Sequence, residues 1–142
     1  MSDPLRLLAE DADDLEVISA ALQDAVTRIG DIQWESRGRR LTIAFNRFRW
    51  EASDNLGERV RAGLQLGGVL GLKARNLRRE AGDAVLGLLA LTFTPGEEAP
   101  GGVVTFAFAD GGDLAATVEC VDAALADLSD PWPAPSKPEH EG

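Results

Sequence analysis

From residue 31 onward the apolar side chains recur at every second position, run after run, with glycine, proline and aspartate between the runs. Period two is the mark of strands that bury one face. The run "RVRAGLQL" at 59–66 shows it most cleanly, with Val60, Ala62, Leu64 and Leu66 on one side and Arg59, Arg61 and Gln65 on the other. Short strands joined by turns favour a sharply bent antiparallel sheet, two packed sheets or a small barrel.

The other runs extend this pattern. "LRLLA" at 5–9 reads as a short first strand. "DIQWE" and the stretch after it flank "SRGR", whose Gly38 can take a positive φ, so 31–50 reads as a hairpin. Gly67-Gly68 allows a sharp bend before "VLGLKAR". "AVLGLLALTFT" at 84–94 is apolar on both faces and reads as a central strand, with a short buried helix as the alternative. "VVTFAFA" and "LAATV" complete the set around the tight connection "DGGD".

Two segments carry helical spacing instead. Leu15, Ile18, Leu22, Val26 and Ile29 predict a helix over 13–29, with Asp13 as N-cap, Glu16 completing a capping box and Gly30 ending it. Val118, Val121, Leu125 and Leu128 predict a second helix over 117–128, placed to plug an open barrel end. The expected fold is therefore α+β: a strongly bent antiparallel sheet or small barrel with an N-terminal helix and a closing C-terminal helix. One domain spans 1–128, and "SDPWPAPSKPEHEG" at 129–142 reads as a proline-rich tail without fixed structure, with Trp132 folding back onto the domain.

"RLTIAFNRFRWE" at 40–51 breaks the rhythm. Leu41, Ile43 and Phe45 are apolar at odd positions, but past Asn46 the apolar residues are Phe48 and Trp50. One extra residue in a strand reverses its faces, so a bulge is expected beside Asn46. Phe48 and Trp50 then point inward, and Arg47 and Arg49 face solvent.

The residue inventory weighs against catalysis. His140, the single histidine, lies in the tail, there is no tyrosine, and the single cysteine, Cys120, reads as a buried structural thiol. A nucleophile would lack a fixed base. One cysteine also excludes an intramolecular disulfide or a cysteine-based zinc cluster. Asp11, Asp13, Asp14 and Glu16 crowd a helix start, where capping explains them, and "GLQLGGVLG" lacks the setting of a nucleotide loop. No cofactor or metal is expected. The opening "MSDPLRLLAEDADD" has no signal-peptide pattern, and no run approaches about 20 apolar residues, so a cytoplasmic protein without membrane insertion is expected.

Charge is unevenly laid out. The net charge is -10, yet residues 28–79 hold twelve Lys/Arg against five acids, between acidic flanks of -6 over 1–27 and -11 over 80–142. A basic middle is either offset by the chain's own acids, Asp24 and Asp31 among them, or forms a face for an anion.

The strings "DLEVISAALQDAV", "GDIQW", "FNRFRWE" and "VECVDAALADL" resemble an uncharacterised proteobacterial family, a domain of unknown function, across residues 4 to about 132. That resemblance brings no activity, cofactor or catalytic residue. A second resemblance, to pleckstrin-homology-like barrels, rests on antiparallel strands followed by one C-terminal helix.

The expected function is a non-catalytic interaction module. Its arginine-rich sheet face, Arg47, Arg49, Arg59 and Arg61 with Arg37 and Arg40, would meet an acidic protein surface or another anion, and an exposed strand edge offers homodimerisation. An RNA- or nucleotide-binding module is the alternative, although nucleic acid suits the net charge poorly. A hydrolase using carboxylates alone is third and requires a deep pocket where two acids converge.

Overall fold

Strand β5 (Glu58–Leu66) lies inside the sheet of the computed structural model, which describes residues 4–51, 57–78 and 81–133. Its inward residues Val60, Ala62, Leu64 and Leu66 are all buried, as their alternation predicts. On either side it pairs antiparallel with β4 (Arg40–Phe48) and β10 (Ala123–Asp127). Outward from β10 comes β1 (Arg6–Ala9). Beyond β4 follow β2 (Val26–Arg28), β7 (Val85–Pro95), β8 (Gly102–Phe108), β9 (Asp113–Val118) and β6 (Val69–Arg75). Off this path, β3 (Ile32–Glu35) pairs with β4, and β11 (Trp132–Pro133) pairs with β5.

The sheet is antiparallel throughout and not closed, since its hydrogen-bonded path ends at β1 and β6. Two short segments join the halves of the sheet. β5 runs into β6 across Gly67-Gly68, where Gly68 has φ 63, a left-handed conformation that suits glycine. β9 runs into β10 across residues 119–122. The segment 84–94 is strand, as expected, but in the hairpin turn the positive φ belongs to Arg39 (53) rather than to Gly38.

One helix forms among the described residues, and it is shorter than its pattern. α1 (Ala12–Ala21) is capped by Asp11, not Asp13, whose side chain accepts from the Asp14 N–H at 2.8 Å. The helix stops before Asp24, which has φ 61. Val26 and the β-branched Thr27 then join β2, where Val26 pairs with both Asn46 and Gly87, and Ile29–Asp31 forms a 3-10 turn. Leu15, Ile18 and Leu22 remain the buried stripe, and Ser19 Oγ accepts from the Leu91 N–H of β7 at 2.9 Å.

The closing C-terminal helix does not exist. Residues 117–128 instead supply the end of β9, a bend and β10. Val121, Ala123 and Leu125 are buried with period two, while Leu128, which a helix would turn inward, is 64% exposed. Cys120 lies in the bend, half-buried, not at a helix start. The pleckstrin-homology-like resemblance thereby loses the helix on which it rested. Trp132 runs along β5 opposite Arg59, whereas His140 and the rest of 134–142 lie outside the described residues.

Candidate functional site

The arginine face divides into two faces. β4 and β5 keep an unbroken register from Leu41↔Leu66 to Phe48↔Arg59, so no bulge interrupts Asn46-Arg47. Arg47 therefore follows Leu41, Ile43 and Phe45 into the interior, where it is 0% exposed, and Arg49 is buried beside it. The expected outward direction of both is overturned. Phe48 and Trp50 lie on the opposite side: Phe48 is covered, but Trp50 is 40% exposed, its ring edge-on to Phe48 at 4.7 Å.

An arginine can occupy a core position only if its charge and donors are satisfied. Arg47 meets this condition fully. Its guanidinium forks onto Asp127 of β10, with Nε–Oδ1 at 2.9 Å and Nη2–Oδ2 at 3.0 Å, and onto Glu51 at 2.9 and 2.6 Å. Burial works against the Arg47 charge, but the hydrogen bonds and charges of Glu51 and Asp127 outweigh it and raise its pKa. Reciprocally, the hydrogen bond from Arg47 holds Glu51 below its ordinary value despite partial burial. Arg49 pairs with Glu58. These two side chains are internal ties rather than a docking surface.

Arg59 and Arg61 do point outward, on the face shared with Asn46 and Phe48. Arg59 donates to the Asn46 carbonyl at 3.2 Å, and burial lowers its pKa against the opposing field of Asp24. Arg61 donates to Asn46 Oδ1 at 3.1 Å and stands 3.3 Å from Asp31, one of the acids expected to offset the basic segment. Arg61, Asn46, Asp31, Arg28, Thr27, Val26 and Val85 line a polar depression of about 340 Å³. Arg28 is exposed there, with no ion pair among the described residues. Arg37 and Arg40 sit apart at the β3–β4 turn, Arg40 facing Glu35 at 3.6 Å.

A second depression of about 440 Å³ escaped sequence reasoning. Every side chain in its lining is that of an apolar residue type: Ile29, Ile32, Trp34, Leu72, Ala74, Leu77 and Leu114. Arg28 and Asp31 thus border the polar depression, and Ile29 and Ile32 the apolar one.

Carboxylates also share two smaller recesses. Asp127 and Asp130 border one of about 60 Å³, where Asp127 is committed to Arg47. Glu10 and Asp11 border another, where Asp11 caps α1. Among the described residues no group of three or more His, Cys, Asp or Glu side chains could hold a metal ion, and no helix is long and apolar enough to cross a membrane.

The molecule is thus an open antiparallel sheet packed on one short helix, with a buried arginine centre and two depressions that meet at its 3-10 turn. The chain belongs to the family described as protein of unknown function (DUF2948), which matches residues 5–140. Neither a curated protein nor a solved structure matches it.

Proposed function

We propose that this chain is a non-catalytic interaction module that takes an anionic group, foremost a carboxylate on an acidic protein surface, between Arg28 and Arg61. The supporting observation is the contrast in pairing. Arg61 is steadied by Asn46 and only loosely faced by Asp31 at 3.3 Å, and Arg28 beside it has no ion pair among the described residues. A steadied guanidinium next to one without an ion pair among the described residues offers forked donors matched to a carboxylate. Arg47 and Arg49 take no part, because carboxylates of the chain already hold them. Nucleic acid is the second reading and has less support, since no aromatic ring lines the depression on which a base could stack. A cytoplasmic location and a bacterial source belong to the same proposal and rest on the sequence reading alone.

The test is titration of isotope-labelled protein with tetraglutamate, followed by amide NMR. Shifts at residues 26–31, Asn46 and Arg61 are expected, weakening with added salt and falling about ten-fold in Arg61→Ala. Shifts confined elsewhere, or an unchanged response in Arg61→Ala, would refute the reading. A stronger response to oligouridylate than to tetraglutamate would move it to nucleic acid.

A further inference from the structure

The apolar cleft is bounded by two strand edges that have no partner among the described residues. Among the described residues β3 pairs only with β4, and β6 only with β9, so alternate backbone N–H and C=O groups of each strand point away from that neighbour. A single backbone bond, from the Val69 N–H to the Arg39 carbonyl at 2.9 Å, joins the β3–β4 turn to the start of β6. Past that bond the two strands diverge around the cleft. Ile32 and Trp34 line it from β3, and Leu72 and Ala74 from β6, in each case two positions apart.

We propose that this seam receives an extended segment of a partner protein, its backbone pairing with a strand edge and its alternate apolar side chains entering the cleft. Three observations select that occupant. Unpaired edges offer hydrogen bonds that an added strand completes. The lining positions recur with the two-residue period of a strand. About 440 Å³ is enough for side chains, and no lining residue carries a polar side chain to orient a small ligand.

Charge complementarity narrows the class further. Exposed Lys73 lies between Leu72 and Ala74 on β6, and exposed Arg37 and Arg78 follow the two strands, none of the three with an ion pair among the described residues. Glu35 already faces Arg40. The segment that fits therefore alternates apolar with acidic residues. This inference stands apart from the anion reading, whose depression lies on the other side of the 3-10 turn.

The experiment uses the full chain and a small panel of blocked heptapeptides alternating Val, Leu or Phe with Asp or Glu. Expected is binding by at least one peptide, with slowed amide exchange at residues 32–35 or 69–75. Leu72→Asp, which puts a charge in the cleft, weakens that binding about ten-fold. Lys73→Glu, a surface change that leaves the core alone, also weakens it, and it keeps the test valid should Leu72→Asp fail to fold. Four results would overturn the proposal: no panel member binding at millimolar concentration, protection elsewhere, affinity unmoved by Lys73→Glu, or these edges already protected in a dimer without peptide. Uptake of hexanol into the cleft without any peptide response would assign it to small apolar molecules instead. Because Arg61→Ala leaves the seam intact, peptide binding that survives in that variant separates this proposal from the anion reading.

Discussion

Arg47 Nε and Asp127 Oδ1 stand 2.9 Å apart across the width of β5, joining β4 and β10, which share no pairing of their own. Asp127 Oδ2 also accepts the Leu5 N–H at 2.8 Å, so one carboxylate ties the start of the chain and two strands to a single guanidinium. Removing Arg47 leaves the Asp127 charge buried without its cation, and removing Asp127 leaves the Arg47 guanidinium buried with Glu51 as its one remaining carboxylate. Asp127→Leu is expected to cost about 3–5 kcal/mol in urea unfolding, and Arg47→Met to be of the same order. The double variant should lose less than the two single losses together, because neither charge is then stranded. Additive losses would show that the pair is not coupled.

Glu51 closes the same centre from the solvent side. Its pKa is depressed in the fold by the hydrogen bond from Arg47, so it stabilises the protein above the ordinary glutamate value of 4.5. That contribution is lost as pH falls through the lower folded value. Melting temperature measured against pH should therefore separate wild type from Glu51→Gln near neutrality, and the two curves should converge in acid. The gap is expected to be modest, because the Glu51 side chain is 38% exposed.

The same centre explains what could and could not be read from the chain. The alternation of 59–66 located β5 and sent Arg59 and Arg61 outward, because each choice depends only on neighbouring residues. At Arg47 the same alternation puts a charge at a core position, and the apolar Phe48 and Trp50 on even positions point to a bulge instead, because nothing nearby shows the partner. That partner is 80 positions away in a segment read as helix. Within that segment Ala123, Leu125 and Asp127 alternate inward on β10, and the sequential i,i+4 spacing of Arg47 and Glu51 was the other available sign. The apolar cleft had no local sign. It exists because β3 and β6 do not pair, and its lining comes from segments far apart in the chain.

Trp50 is the lid over Phe48. Its ring meets Phe48 edge-on, and its Nε1–H donates to the Gln23 carbonyl at 3.1 Å, tying β4 to the end of α1. Trp50→Phe should cost about 1 kcal/mol, the net worth of one hydrogen bond. Trp50→Ala should cost about 1–2 kcal/mol more by also uncovering Phe48. Urea unfolding of the two variants provides the measurement, and equal losses would show that the ring contact contributes nothing.

Gly102, at the first position of β8, tests how tightly β7 and β8 are apposed. A Cβ at this position would run into the Thr94 carbonyl oxygen and the edge of the Phe93 ring. The oxygen belongs to the paired strand itself, where Pro95 sits opposite Gly102, so it cannot swing aside as a flexible side chain could. Gly102→Ala should therefore cost about 1–3 kcal/mol, the usual range for overpacking. Gly71 on β6 is the internal control, since a Cβ there meets nothing within 4 Å. Gly71→Ala should stay within about 0.5 kcal/mol of wild type. Chemical denaturation of both variants distinguishes the cases: equal small effects would mean that β7 and β8 lie further apart than described, and a loss confined to Gly102→Ala would fix their close approach.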